Sequence, residues 1–219
     1  MASELSNLHL EASRERSARI GQSAAVAVEL AEVDVARARE YALISALLAR
    51  APDAELLQRL GRLPGDPSPL GRAHAELAQA AGRTHAAAVE REYFNLFVGL
   101  GRGELLPYAS FYLTGFLHGH VLARLRRDLA DLGLRRSPDI GEPEDHAAIL
   151  CELMSGLARR QWPAPPGAER ELFAVHLAPW IGHFFADLER ADAGQFYRSV
   201  GTLGRVYMDI EAEAFAMPA

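Results

Sequence analysis

Thr84-His-Ala-Ala-Ala-Val-Glu-Arg-Glu-Tyr-Phe-Asn-Leu-Phe-Val-Gly99 carries its apolar side chains at Val89, Tyr93, Leu96 and Phe97. That spacing of i, i+4, i+7 and i+8 is one face of a helix with 3.6 residues per turn, and no strand repeats that way. Thr84 predicts the start of the helix and Gly99 its stop. The same period runs outward in both directions. Upstream, Asp34 as N-cap opens a helix to Arg50 with Val35, Ala38, Tyr41, Ala42 and Leu48 on one face. Pro52-Asp53 restarts a short helix, with Gly61 expected as a left-handed terminator. Ser68-Pro69 opens another to Ala81. Downstream, a helix over 119–132 carries Val121, Leu122, Leu125 and Leu129. The next is expected from Pro143, with His146, Ile149, Leu150, Leu153, Met154 and Leu157 inward. Three more cover about 168–177, 180–190 and 193–215. No run alternates with period 2 and no 20–50-residue repeat occurs, so the expected fold is all-α, a bundle of about nine to ten helices.

Residues 1–33 form a leader expected to be flexible or partly helical, ahead of a single helical domain over 34–219. The polar stretch Gly133 to Glu142, with Arg135-Arg136-Ser-Pro138, is the expected hinge between an N-terminal lobe (34–132) and a C-terminal lobe (143–219).

Composition narrows the chemistry. All 23 basic residues among the 219 are arginine. The absence of lysine removes Schiff-base and pyridoxal-phosphate chemistry and the lysine-dependent P-loop. The single cysteine, Cys151, excludes a disulfide framework, an all-thiolate zinc site and a four-cysteine iron–sulfur cluster. A net charge of −6 disfavours nucleic acid and suits a partner with a basic segment. The apolar stretch Ala24 to Val33 is broken by Glu29 and Glu32, so neither a signal segment nor a membrane span is expected. Together these predict a soluble cytoplasmic protein.

The motifs for catalysis are also absent. There is no His-Glu-x-x-His and no pair of Glu-x-x-His, so no metal is expected. Gly99-Leu-Gly101-Arg-Gly103 follows a helix rather than a strand, which reads as an inter-helix loop and not a phosphate cradle. No Gly-x-Ser-x-Gly occurs, and Asp145 and His146, adjacent in sequence, would point about 100° apart on a helix. What remains is the cluster of aromatics, Pro and Gly from Tyr93 to Phe116 and an acidic start at Glu142 to His146. The loop from Gly101 to Pro107 mixes Arg102 and Glu104 with Leu105, Leu106 and Pro107, the kind of surface that accepts a peptide.

Three blocks carry a resemblance: Glu92-Tyr-Phe-Asn-Leu-Phe-Val-Gly99, Pro107-Tyr-Ala-Ser-Phe-Tyr112, and Glu142-Pro-Glu-Asp-His146 with Glu152 and Met154 downstream. Over residues 38 to 210 the chain resembles the TorD/DmsD family of chaperones dedicated to molybdoenzymes exported by the twin-arginine pathway. The resemblance implies a helical fold, no catalysis, no cofactor, and an apo-molybdoenzyme catalytic subunit as partner, bound through its twin-arginine signal peptide. Export would be delayed until the molybdenum cofactor is inserted, with molybdenum-cofactor biosynthesis proteins as further partners. It places Tyr93, Leu96, Phe97 and Gly99, then Pro107, Tyr108, Ser110 and Tyr112, then Asp145 and His146 at peptide-binding positions. The loop resembles that of members associated with formate dehydrogenase. The family includes monomers and helix-swapped dimers, and the 133–142 linker would permit swapping.

Physical chemistry suggests how such a peptide would be held. Leu96, Phe97, Leu106 and Tyr108 would bury its apolar segment, and Asp145 with Glu142 or Glu144 would receive its arginines. Two other readings stay open: an assembly chaperone of the nitrate-reductase type that binds a terminal peptide of a non-exported molybdoenzyme, and a helical enzyme acting on a nucleotide or cofactor.

Overall fold

In a computed structural model of the chain, residues 10–12, 31–136 and 141–217 are described. Within them lie ten α-helices: α1 (Glu32–Ala49), α2 (Ala54–Leu60), α3 (Pro69–Gly82), α4 (Ala86–Tyr93), α5 (Ala109–Thr114), α6 (Gly119–Asp131), α7 (Ala147–Ala158), α8 (Ala168–Leu172), α9 (Ile181–Arg190) and α10 (Phe196–Ala216). The fold is all-α, as the periodicity predicts. Helices α4 and α8 each run on into one π-helical turn, Phe94–Val98 and Phe173–Leu177. Two three-residue strands, β1 (Leu10–Ala12) and β2 (Leu134–Arg136), pair antiparallel with Ala12 opposite Leu134. Strands this short leave no alternation to read in the sequence. They replace the helical or flexible reading of the leader at residues 10–12; the rest of the leader, 1–9 and 13–30, and the 137–140 part of the hinge lie outside the described residues.

Helix α7 is the central element. Every residue from Ala147 to Ala158 except Glu152 is buried, and α7 packs along α1, where Ser155 donates its hydroxyl to the Ala38 carbonyl at 2.8 Å. Helix α10 lies against α9 and α3. Close approach to α9 depends on a missing side chain, since a Cβ on Gly204 would stand 2.2 Å from the Phe185 ring. One continuous core holds Tyr41 and Ile44 of α1, Leu77 of α3, Leu153 and Met154 of α7, Phe184 of α9 and Tyr197 of α10. Across it runs an ion cluster: the Arg37 guanidinium forks onto Glu211 at 2.8 and 2.6 Å and reaches Glu169 at 2.6 Å, while the Tyr41 hydroxyl donates to Glu211 at 2.9 Å. Among the described residues no helix is long and apolar enough to cross a membrane.

Three helix starts and one stop differ from expectation. Helix α1 begins two residues before Asp34, which sits with Glu32 in the first turn, where negative charge complements the dipole. The His85 ring, one residue after Thr84, caps α4 by accepting from the Ala88 N–H. Gly61 closes α2 at φ −61°, right-handed rather than left-handed. The helix expected from Pro143 starts only at Ala147, because the residues before it are committed to another segment, described next. Ser68 and Asp53 cap α3 and α2 where the sequence places them.

Candidate functional site

The second and third sequence blocks meet. Tyr108 and His146 form an antiparallel bridge, with the Ala109 N–H donating to the Asp145 carbonyl at 3.0 Å and the Ala147 N–H to the Pro107 carbonyl at 2.8 Å. Each strand of this crossing leads directly into a helix, and each helix start is satisfied by a side chain of the 143–146 segment. Asp145 Oδ2 accepts the Ser110 N–H at 2.9 Å, capping α5. His146 Nδ1 accepts the Ala148 N–H at 3.1 Å, capping α7. The Tyr108 ring stands edge-on to His146 with centroids 5.0 Å apart, and its hydroxyl donates to the Glu142 carboxylate at 2.6 Å. Burial, reinforced by Glu142, pushes the Tyr108 phenol well above its ordinary value. Burial also lowers His146 to about 4, against the opposing pull of Glu142 and Asp145, so the ring is neutral and can accept.

This geometry corrects the role expected of Asp145. The residue is 0% exposed, one oxygen is spent on Ser110, and the other has no hydrogen-bond partner among the described residues. An incoming arginine cannot reach it. Nor does Asp145 simply complement the start of its own helix, since the helix it caps is α5. Glu144 is also engaged, with Arg126 at 2.9 Å and Arg136 at 3.7 Å. Of the acidic trio only Glu142 is exposed.

The first block is a packing element. Leu96 is fully buried and lies against Gly194, where a Cβ would meet its side chain at 3.1 Å. It therefore lines the core and not an open groove. The Tyr93 hydroxyl reaches the terminal carbonyls of α1, Ala49 at 3.0 Å and Leu48 at 3.3 Å. Burial, with Glu142 adding to it, raises its phenol to about 12. Phe97 is half-buried, edge-on to Tyr93 at 5.1 Å and to Tyr197 at 5.5 Å. Gly99 turns the chain out of the π-helical turn at φ +63°, and a Cβ there would sit 2.0 Å from the Arg102 carbonyl. Such a backbone is open only to glycine.

Of the remaining expected positions, Ser110 and Pro107 are buried and Leu106 half-buried. Ser110 Oγ accepts the His118 N–H at 2.9 Å and so shapes the turn after α5. The Tyr112 hydroxyl donates to Asp187 of α9 at 3.1 Å, with its ring 5.5 Å from Trp180. Burial and Asp187 hold that phenol above its usual value.

What faces solvent is a different apolar set. Phe94 and Val98 on the π-helical turn, Leu100 in the loop, and Leu113, Phe116 and Leu117 at the end of α5 are exposed, with Leu100 at 98% and Phe116 at 79%. The guanidinium of Arg102 stacks over the Phe111 ring at 5.4 Å and ties the loop to α5. The face at Val89, Tyr93, Leu96 and Phe97 points into the core, as the helical period predicts, and Phe94 and Val98 of the π-helical turn lie on the other side. Sequence reading also missed Glu92 and Glu104. Glu92 accepts the Phe196 N–H at 2.8 Å, and Glu104 accepts the N–H groups of Asp192 and Ala193 at 2.8 and 3.1 Å, so both serve the entry to α10. Only the acidic type at a loop edge hinted at this. Among the described residues no group of three or more His, Cys, Asp or Glu could hold a metal ion.

Comparison with known proteins fits this architecture. The family model described as nitrate reductase delta subunit matches residues 63–186, more than half of the chain. The chaperone protein TorD of Shewanella loihica is 28% identical over 205 residues, covering 82% of this chain and 92% of the relative. The TorD of Vibrio cholerae is 26% identical over 190 residues, with 82% of each chain covered. A crystal structure of a candidate redox enzyme maturation protein from Archaeoglobus fulgidus superposes with a TM-score of 0.51 at 21% identity, over 80% of this chain and 93% of that one, a likeness of fold. The chain belongs to the nitrate reductase delta subunit family, whose TorD-like members are helical chaperones of redox-enzyme maturation rather than enzymes.

Proposed function

We propose that this maturation chaperone acts in the cytoplasm on a molybdenum-cofactor oxidoreductase, binds its twin-arginine signal peptide and withholds it from export until the cofactor is in place. A formate dehydrogenase is the proposed client. The observation that carries this reading is the solvent-facing apolar set on two segments tied together by Arg102 and Phe111. Exposed aromatic and aliphatic side chains on that scale mark a binding surface, and the apolar core of a signal peptide matches it. Glu142, open to solvent beside Tyr108, adds a carboxylate for a basic flank. The 107–110 and 143–147 crossing anchors the start of α5, which lowers the cost of ordering the apolar side chains at its end. Proteins of molybdenum-cofactor biosynthesis are proposed as transient further partners.

The test is calorimetry with a synthetic signal peptide. Replacing Leu100 and Phe116 by Ser, both exposed, should leave the melting temperature unchanged and weaken binding about tenfold, roughly 1.4 kcal/mol. Undiminished binding sinks the surface. The match to the nitrate reductase delta model favours a second reading, docking to a terminal peptide of a non-exported molybdoenzyme. Co-purification of the native protein and mass spectrometry of its partner separates the two.

A further inference from the structure

A second concavity lies away from the loop and α5. It has a volume of about 200 Å³, between the C-terminal end of α6 and the start of α8 with its π-helical turn. Cofactor-sized ligands take pockets of roughly 300–1,000 Å³, so this one has room for a single long side chain. Leu132, Pro165 and Leu172 give it apolar walls, and Asp128, Asp131, Glu171 and His176 give it polar ones.

Apart from the His176 N–H bonded to Asp128, those polar side chains offer only acceptors. His176, 5% exposed, places Nε2 2.8 Å from Asp128 Oδ2. A carboxylate can only accept, so Nε2 carries the hydrogen. Burial outweighs the opposing pull of Asp128 and lowers the ring's pKa, which favours the neutral form. Nδ1 is then a lone pair with no partner among the described residues. Asp131 and Glu171 are exposed and form no ion pair among the described residues, while Asp128 has Arg124 at 3.8 Å. The C-terminal end of α6 and the start of α8 meet here, so their dipoles oppose and the charge of the cleft is set by its carboxylates.

A ligand for this cleft must donate hydrogen bonds only, carry positive charge and bring an apolar stem. Guanidinium has five donors in one plane, no acceptor and weak hydration, and the arginine stem packs on apolar walls. We propose that the cleft receives an arginine side chain of the client peptide, an inference that rests on the peptide-binding reading above. The spacing supports it. Helix α6 has 13 residues, about 20 Å at ~1.5 Å per residue, and it separates the cleft from the exposed Phe116 and Leu117. An extended peptide covers that distance in about six residues, so one peptide could lay its apolar run on the α5 surface and its arginine in the cleft.

The experiment uses the full chain and three synthetic probes. One peptide has two adjacent arginines, a six-residue polar spacer and a twelve-residue apolar run; the second has glutamine for both arginines; the third probe is N-acetylarginine amide. In calorimetry the Asp131→Asn/Glu171→Gln double variant should bind the arginine peptide about tenfold more weakly than the parent and the glutamine peptide equally well. Equal losses for both peptides, or no loss for either, overturn the cleft assignment while leaving the apolar surface standing. If neither peptide binds the parent, the peptide-binding reading falls. The amide then tests the cleft alone: a shift of the His176 Nδ1 nitrogen resonance in the parent, absent in the double variant, supports an arginine site, and no shift in the parent overturns it.

Discussion

Asp145→Ala should unfold this chain more readily than Asp145→Asn, and the difference can be worked from the contacts. The carboxylate is fully buried and accepts the Ser110 N–H at 2.9 Å. Ser110 is also buried, so Ala would strand that N–H with neither protein nor water to receive it. An unsatisfied buried donor costs about 1–3 kcal/mol, and hydrogen bonds to a charged group contribute roughly 1.5–3 kcal/mol. Part of that gain is offset by desolvating the carboxylate, whose second oxygen is unpartnered. A net loss of about 2–4 kcal/mol follows for Asp145→Ala. At roughly 2–4 °C per kcal/mol for a chain of this size, the melting temperature should fall by about 4–16 °C. Asn keeps the acceptor for Ser110 and fills the same space but puts an unpartnered NH2 where Oδ1 stood, so its cost should be about 1–2 kcal/mol, below that of Ala. Urea unfolding of the two variants, with m held equal, makes the measurement. An Ala variant within about 0.5 kcal/mol of the parent would refute the capping argument. A stable Asn variant that had lost peptide affinity would restore Asp145 to the binding surface.

Three further outcomes follow from the same contacts. Gly99→Ala forces a Cβ to within 2.0 Å of the Arg102 carbonyl at φ +63°, so it should cost at least about 1–3 kcal/mol and raise protease cutting in the loop from Gly99 to Pro107; a variant cut at the parent's rate would contradict this. Removing Glu211 alone leaves Arg37 half-buried beside Glu169, which should cost about 3–5 kcal/mol, whereas Arg37→Leu with Glu211→Leu should recover most of it; a double variant as unstable as the single one would show that the cluster is irreplaceable. Burial holds His146 down at about 4 and Glu152 up at about 7. The neutral histidine stabilises the fold fully above its unfolded value and that stability is lost as pH falls toward 4, while the glutamate costs nothing at low pH and costs most above 7, so the two oppose each other in between. Glu152→Gln should therefore stabilise the chain at pH 8 by no more than about 1–2 kcal/mol, given its partial solvent contact, and make stability rise between pH 4 and 6.5; a difference from the parent that stays constant across pH would exclude this account.

The elements that the sequence makes legible are those whose causes are local. Ser68-Pro69 and Asp53 cap helices within three residues of themselves, and the apolar face of α6 repeats without interruption, so both can be read from a short window. Asp145 cannot. Its partner is 35 positions away, and its side chain caps a helix to which it does not belong, so an acid before a helix reads as that helix's own first turn. Glu92 and Glu104 fail for the same reason at about three times the distance. Leu96 and Phe97 are a different case. Their helical spacing puts them on the inward face, where they lie, with Phe94 and Val98 outside; the peptide-binding role came from the resemblance. A resemblance locates the same block without telling inside from outside, because a residue fixed by packing and one fixed by a peptide leave the same letter. The consequence for the site is specific. Blocks two and three form a crossing that spends most of its polar groups internally, and the proposed binding falls to groups left facing solvent: Leu100, Phe116 and Leu117, Glu142 beside Tyr108, and the cleft at the far end of α6.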